Sequence, residues 1–230
     1  MTTPSRVQCE IAGGVATITM NDGKANVMSE AMQRELNDAL DRAESASAVV
    51  LLTGRPGVFS GGYDLAIFGR SQAEVARVIR AGGELAHRLL GFPRPVVALC
   101  NGHAVAQGAF LLLAADVRIG TAGAFRIGLN EVAIGLPIPH YGIEIARLRL
   151  TAPAFNYATT TGALYSPDEA ARAGFLDRVA DADAALALAR EEAVRLTRID
   201  AVAHAGTKQR VRAHALAAMR AGIDTELAAA

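Results

Sequence analysis

The segments Val58-Phe59-Ser60-Gly61-Gly62-Tyr63-Asp64-Leu65 and Asn101-Gly102-His103-Ala104-Val105-Ala106-Gln107-Gly108 share a layout. Each is a strand end that breaks on small residues, and the second opens into an apolar helix. A glycine-rich turn lets a ligand or another backbone come close. It also leaves N–H groups free at the start of a helix, where partial positive charge collects. Two such N–H groups facing each other would make an oxyanion hole, a seat for an oxygen that gains negative charge during reaction. A third segment, Ile127-Gly128-Leu129-Asn130-Glu131-Val132-Ala133-Ile134-Gly135, puts Glu131 in an otherwise apolar stretch. A carboxylate in apolar surroundings is a candidate base with a perturbed pKa. The same residues also read as ordinary turn glycines and a surface glutamate, and composition alone leaves both readings open.

Other chemistries find less support. Ser60 as a nucleophile with His103 as its base would suit a hydrolase, but GVFSGG does not fit the GxSxG elbow. The five histidines, His87, His103, His140, His204 and His214, do not fall at metal-ligand spacing. With no GxGxxG and no Walker A pattern either, neither a metal nor a redox cofactor is expected. Lys+Arg and Asp+Glu are 23 each, so no basic excess exists to grip nucleic acid or an anionic membrane. Any anionic ligand must be held by local charge. Cys9 and Cys100 lie far apart and outside any CxxC pair, as reduced thiols of a cytoplasmic protein would. Met1 to Glu10 has no apolar signal-peptide region, and the apolar run Ala109–Ala115 stops at Asp116 and Arg118, short of a membrane span. A soluble cytoplasmic protein is the expectation.

The elements that must position the three segments follow from hydrophobic pattern and punctuation. Val7–Gly13 and Val15–Met20 read as a hairpin joined at Gly13-Gly14. Ser29 can cap a helix to about Glu44, with Met28, Met32, Leu36 and Leu40 in one stripe. AVVLLT (48–53) and PVVALC (95–100) are buried strands. GRPGVFSGG (54–62) reads as a loop, and Glu74–Leu90 as a helix weakened by Gly82-Gly83. Ala109–Ala115 is a helix apolar on all sides. Short strands are expected at 116–120, 124–127 and 175–179, and helices at 141–148, 153–160, 167–173, 182–196 and 202–222. Strands alternating with helices give an α/β class, and the chain is almost wholly helical after Gly135.

FSGGYDL (59–65) resembles the F-(S/A)-(A/G)-G-x-D-L loop of the crotonase family, also called the enoyl-CoA hydratase/isomerase superfamily. NGHAVAQGAFLLLAADVRIG (101–120) resembles its second signature, N-G-x-A-x-G-G-G-x-x-L-x-x-x-x-D, and GLNEVAIGL (128–136) its acidic third block. The spacing between blocks fits, and the match runs from about Val7 to beyond Leu150. The resemblance implies a spiral core of repeated ββα units over residues 1–198, with a helical trimerisation segment at 199–230. It implies an acyl-CoA thioester as substrate, so that coenzyme A arrives with the substrate and no separate cofactor is needed. A homotrimer or dimer of trimers is expected, because the Ala-rich tail would expose an apolar face in a single chain.

Carried over position by position, the resemblance makes the backbone N–H groups of Tyr63 and Gln107 the oxyanion-hole donors and Glu131 the proton carrier. Ser60, Gly61, Gly62, Asp64 and Gly108 fall in the loops that would line the substrate, with Asp64 orienting its loop or acting as a second acid. Lys24 and Ala25 match the region that holds the adenine end of coenzyme A, and His140 and Tyr141 precede the helix that lines the acyl pocket. Lys208, Arg210 and Arg212 read as a solvated helix face that could also reach a phosphate. Two departures stand out. The family has glycine where this chain has Ala106-Gln107, so the Gln107 side chain must point away from the ligand. Family hydratases use two glutamates, and Phe110 stands at the position of the first. One carboxylate suits a proton shuttle from C2 to C4, the Δ3-Δ2 enoyl-CoA isomerase reaction, better than water addition. An enoyl-CoA hydratase and a non-catalytic acyl-CoA binder are the alternatives.

Overall fold

The apolar runs that carry no alternation are strands buried on both faces. In the computed structural model, which describes residues 5–227, these runs form the middle of a six-stranded sheet. The strands are β1 (Val7–Ala12), β2 (Val15–Met20), β3 (Val49–Thr53), β5 (Val96–Cys100), β7 (Val117–Thr121) and β10 (Arg178–Ala180), in that spatial order. β1 pairs with β2 antiparallel and the remaining pairs are parallel. Side chains alternate across such a sheet. Val50, Leu52, Val96 and Ala98 point into the main core, while Val49, Leu51, Val97 and Leu99 point into a second one. The second core is closed by helix α7 (Ala182–Leu196), which presents Ala185, Ala189 and Ala193 at a spacing of four, small enough for close approach.

Each central strand leads into a strand of a second, four-stranded sheet, in the order β4 (Gly57–Ser60), β6 (Gly102–Val105), β8 (Ile127–Gly128) and β9 (Leu164–Tyr165). The helices follow: α1 (Glu30–Ser45) after the hairpin, α2 (Gln72–Gly91) after β4, and α3 (Gln107–Ala114) after β6. This β-β-α order repeats along the chain, as the α/β reading anticipated. β4 and β6 lie in segments that read as a loop and a small-residue turn. Their glycines hide the strand signal because the two strands nearly touch their neighbours. A Cβ at Gly102 would fall 1.9 Å from the carbonyl carbon of Gly57, and one at Gly54 would fall 2.1 Å from the Val58 oxygen.

Boundaries shift for local reasons. α2 begins two residues earlier than the sequence suggested, because Ser71 and Glu74 form a reciprocal capping box. The strand expected at 175–179 starts at Arg178, since the Phe175 N–H returns to the Ala170 carbonyl and closes helix α6 (Pro167–Ala173). The remaining helices are α4 (His140–Arg149), α5 (Ala152–Thr161) and α8 (Ala201–Glu226).

α8 corrects one expectation. One of its faces, with Ala215, Leu216, Met219 and Ile223, is buried within the same chain against α2 and α4, while Val202 and Val211 on the same helix are exposed. Lys208 and Arg212 are not a solvated face. Both are buried, each 2.7 Å from an oxygen of Asp116, whose Oδ2 also accepts the Val96 N–H. Burial lowers the Lys208 pKa to about 8. Only Arg210 of that trio is exposed. Among the described residues, no helix is long and apolar enough to cross a membrane.

Candidate active site

The first and second glycine-rich segments meet where β4 and β6 end. Gly62 has φ +81°, a conformation that disfavours any side chain, and a Cβ there would lie 2.9 Å from the Ala106 methyl and 3.4 Å from the Gln107 nitrogen. A Cβ on Gly108 would press within 2.5 Å of the Ser60 carbonyl oxygen. Ser60 is a brace in this contact. Its hydroxyl donates to the Asn26 carbonyl at 2.8 Å and accepts the Gly62 N–H at 3.2 Å. The His103 Nδ1 is occupied by the Arg126 N–H. Ser60 and His103 therefore form no nucleophile–base pair.

Tyr63 and Gln107 follow directly from this junction. Gln107 is the first residue of α3, and among the described residues neither its N–H nor that of Tyr63 donates to another group. Ala106, between β6 and α3, holds φ +50° and ψ −124°, a conformation that alanine seldom adopts. It turns the chain sharply enough to start α3 beside Gly62. Two unclaimed N–H groups thus sit on adjoining turns, one of them at a helix start. The Gln107 side chain points away from them, with its amide buried against α2 and α4.

These turns border a cavity of about 320 Å³. Leu65, Phe68, Val75, Ile79 and Leu136 make much of its wall apolar, and Phe110 and Ala106 lie in the same wall. Glu131 opens onto it from the turn between β8 and a short 3-10 segment, Val132–Ile134. Its backbone carbonyl accepts the Ile134 and Leu136 N–H groups, which fixes the turn. Its side chain is buried, and its Oε2 has no hydrogen-bond partner among the described residues. Burial raises its pKa to about 7. The neighbouring Asn130 Oδ1 is also buried and without a partner there. A carboxyl poised near neutrality in an apolar cavity, with two free N–H groups on the turns that border it, can take and return a proton while a nearby oxygen gains charge.

The other sequence candidates divide. Gly61 lines the cavity, and its N–H donates to the Ala25 carbonyl, so the Lys24-Ala25 turn abuts the site loop. The Lys24 carbonyl accepts from the Arg55 guanidinium and its side chain is exposed. The Asp64 carboxylate caps the 3-10 turn Leu65–Gly69 through the Ala66 N–H and does not line the cavity. His140 and Tyr141 do not line it either. The His140 ring packs at Gly222 of α8, and Tyr141 is wholly buried behind Phe110 with the two rings edge to face at 5.6 Å. The sequence reading missed Glu226 and Leu227, which close one side of the cavity from the end of α8. The Glu226 carboxylate accepts the His140 N–H at 2.7 Å. No local signal marks these residues, because only the docking of α8 brings them there.

Known proteins fit this geometry. The family model described as enoyl-CoA hydratase/isomerase matches residues 10–229. The human mitochondrial enoyl-CoA delta isomerase 1 is 32% identical over 202 residues, which cover 86% of this chain and 64% of the human protein. The chain thus spans slightly under two thirds of that relative. The solved structure of a Mycobacterium tuberculosis enoyl-CoA isomerase superposes with a TM-score of 0.92 at 43% identity, covering 96% of each chain. That of a Mycobacterium ulcerans enoyl-CoA hydratase superposes with a TM-score of 0.92 at 40% identity, covering 95% of this chain and 96% of the other. Similar proteins therefore carry both reaction names.

Proposed function

The chain belongs to the enoyl-CoA hydratase/isomerase family, and we propose that within it the chain catalyses Δ3-Δ2 isomerisation of an enoyl-CoA thioester. The thioester oxygen sits between the Tyr63 and Gln107 N–H groups. Glu131, as carboxylate, removes a proton from C2. The electron pair left on C2 delocalises through the C3–C4 double bond and onto the thioester oxygen, where the two donors hold it. The same carboxyl returns its proton to C4, and the double bond moves from C3–C4 to C2–C3. Atoms balance without water. Losing one oxyanion-hole donor costs about 3 kcal/mol of transition-state stabilisation in enzymes of known mechanism.

The observation that carries this reading is the pairing of Glu131 with Phe110. Glu131 is nearly dry, with a pKa raised to about 7, and Phe110 in the same cavity cannot carry a proton. Hydration needs a second group to activate water. Glu226 is the other carboxylate on this cavity, on the exposed end of α8 and already accepting from the His140 N–H. The test is a panel of 3-enoyl-CoA and 2-enoyl-CoA thioesters of several chain lengths, with products separated. Isomerised product as the main outcome supports the proposal, and hydroxyacyl-CoA as the main product overturns it in favour of a hydratase. No product from any thioester that binds would favour the acyl-CoA binder.

The expected assembly is a homotrimer or a dimer of trimers. Its support is the exposed Val202 and Val211 on α8, and the exposed Val132, Tyr157 and Leu164 on neighbouring segments near the cavity. The unpaired thiols of Cys9 and Cys100 support a cytoplasmic setting.

A further inference from the structure

The two N–H donors sit on different turns, and no direct bond links their backbones. Their side chains, however, leave the cavity in the same direction and end on the same stretch of α2. The Gln107 Nε2 donates to the Gly82 carbonyl at 2.8 Å. The Tyr63 hydroxyl lies 3.3 Å from the Ile79 carbonyl. Between them stands the Tyr141 hydroxyl, 2.7 Å from Gln107 Oε1 and 3.1 Å from the Tyr63 hydroxyl. Proton accounting gives this chain one direction. The Gly82 carbonyl can only accept, so the Gln107 nitrogen faces it and the Gln107 oxygen faces Tyr141. That oxygen can only accept, so Tyr141 donates to it. The Tyr141 oxygen is then free to accept from Tyr63, whose single proton chooses between it at 3.1 Å and the Ile79 carbonyl at 3.3 Å.

A second observation points the same way. Gly82 and Gly83 lie inside a 20-residue helix, where glycine is unfavourable. A Cβ at Gly82 would fall 1.8 Å from the Tyr63 hydroxyl and 3.0 Å from Gln107 Nε2. One at Gly83 would fall 2.9 Å from the Tyr141 ring. The helix is indented where the Tyr63–Tyr141–Gln107 chain rests on it. Tyr141 and Gln107 are completely buried, so water does not compete for these bonds.

We propose that Tyr141 is a positioning residue: its hydroxyl ties Tyr63 to Gln107 and so sets the spacing of the two N–H groups that hold the thioester oxygen. It touches no reacting atom. The proposal rests on the oxyanion-hole reading above and deepens it. Catalytic electrostatics depend on donors held where charge develops, so a donor shifted by a fraction of an ångström gives up part of its effect.

The test is Tyr141→Phe, which keeps the ring against Phe110 and removes one oxygen. The readout is the near-ultraviolet band of the enolate of a bound 3-ketoacyl-CoA, titrated with pH, beside kcat and KM on the 3-enoyl-CoA. A 3-ketoacyl thioester ionises without needing turnover, so its pKa on the protein reports enolate stabilisation in the site, and with Glu131 the same in both proteins the difference between them reports the hole. In the wild type the bound ligand ionises at lower pH than free. In Tyr141→Phe that lowering shrinks by about one pH unit and kcat falls about tenfold, the two being the same free energy, while KM changes less than about threefold. A folded Tyr141→Phe with the wild-type enolate pKa and kcat overturns the proposal. A wild type that leaves the ketoacyl-CoA pKa at its free value overturns instead the oxyanion-hole reading on which it rests. Should Tyr141→Phe not fold, Tyr63→Phe removes the other hydroxyl of the chain. An unchanged enolate pKa in that variant overturns the proposal equally.

Discussion

Glu131→Gln separates the chemistry of the site from its cost. The folded protein holds the Glu131 proton up to about pH 7, against an ordinary value of 4.5, because burial disfavours the charge. The unfolded chain releases that proton at lower pH. Stability owed to the neutral carboxyl is therefore complete below about pH 4.5 and is lost as pH rises through about 7. Each pH unit between the two values is worth about 1.4 kcal/mol, so the loss above neutrality comes to about 3 kcal/mol. Glutamine keeps the shape and cannot ionise, so the variant escapes this loss. Urea unfolding at fixed protein concentration, at pH 5 and pH 8.5, gives the difference. Glu131→Gln gains on the wild type by about 2 to 3 kcal/mol more at pH 8.5 than at pH 5. Turnover of 3-enoyl-CoA falls by about 10²–10⁴ in the same variant, as for other lost general bases. A stability difference that stays constant between the two pH values would show that the folded carboxyl is not held neutral. Wild-type turnover in the variant would show that the base lies elsewhere.

The base acts as carboxylate, so kcat/KM rises with pH through about 7 and levels off above it; a kcat/KM profile flat from pH 5 to 9 would contradict that role. Asp116→Asn leaves Lys208 and Arg212 buried without their counter-charge and costs about 3 kcal/mol or more, read by denaturant unfolding; a loss under about 1 kcal/mol would mean the pair relaxes into water. Gly82→Ala drives a methyl into the Tyr63 hydroxyl and lowers kcat, although alanine favours helix. Gly206→Ala, in α8 with nothing within 4 Å of the new Cβ, raises stability by up to about 1 kcal/mol and leaves kcat unchanged. Equal behaviour of the two glycine variants in both assays would undo the packing argument.

The fold was legible where burial leaves a simple mark. AVVLLT and PVVALC read as buried strands because both faces are covered. The Ser29 cap placed α1 within a residue. The second sheet was only partly legible, since β4 (GVFS) and β6 (GHAV) are four residues long and each begins on a glycine, so that they read as loop. The S-x-x-E box at Ser71 was present in the sequence and marks the true start of α2. In the site, Glu131 and the two turns stood out because their residue types are unusual for their surroundings. Tyr141 stood out only as a pocket candidate, while its actual contacts are with side chains 34 and 78 positions away in the chain. Gly82 and Gly83 looked like a weakness in a helix and are the space that those contacts occupy. Lys208 and Arg212 looked like surface because their partner, Asp116, lies 92 residues from Lys208.

The cavity takes one wall from Glu226 and Leu227, and its other lining residues fall between Gly61 and Pro139. Arg80 bonds the Leu227 carbonyl across 147 residues of chain. Contacts that close so long a loop form late, after local helices and neighbouring strands. The binding site is then among the last parts of the molecule to become whole. In refolding, helical signal is expected to return before ligand affinity does, with capture of a ligand marking the docking of α8. A ligand added early cannot guide the chain toward its fold; it can only hold molecules that have already arrived.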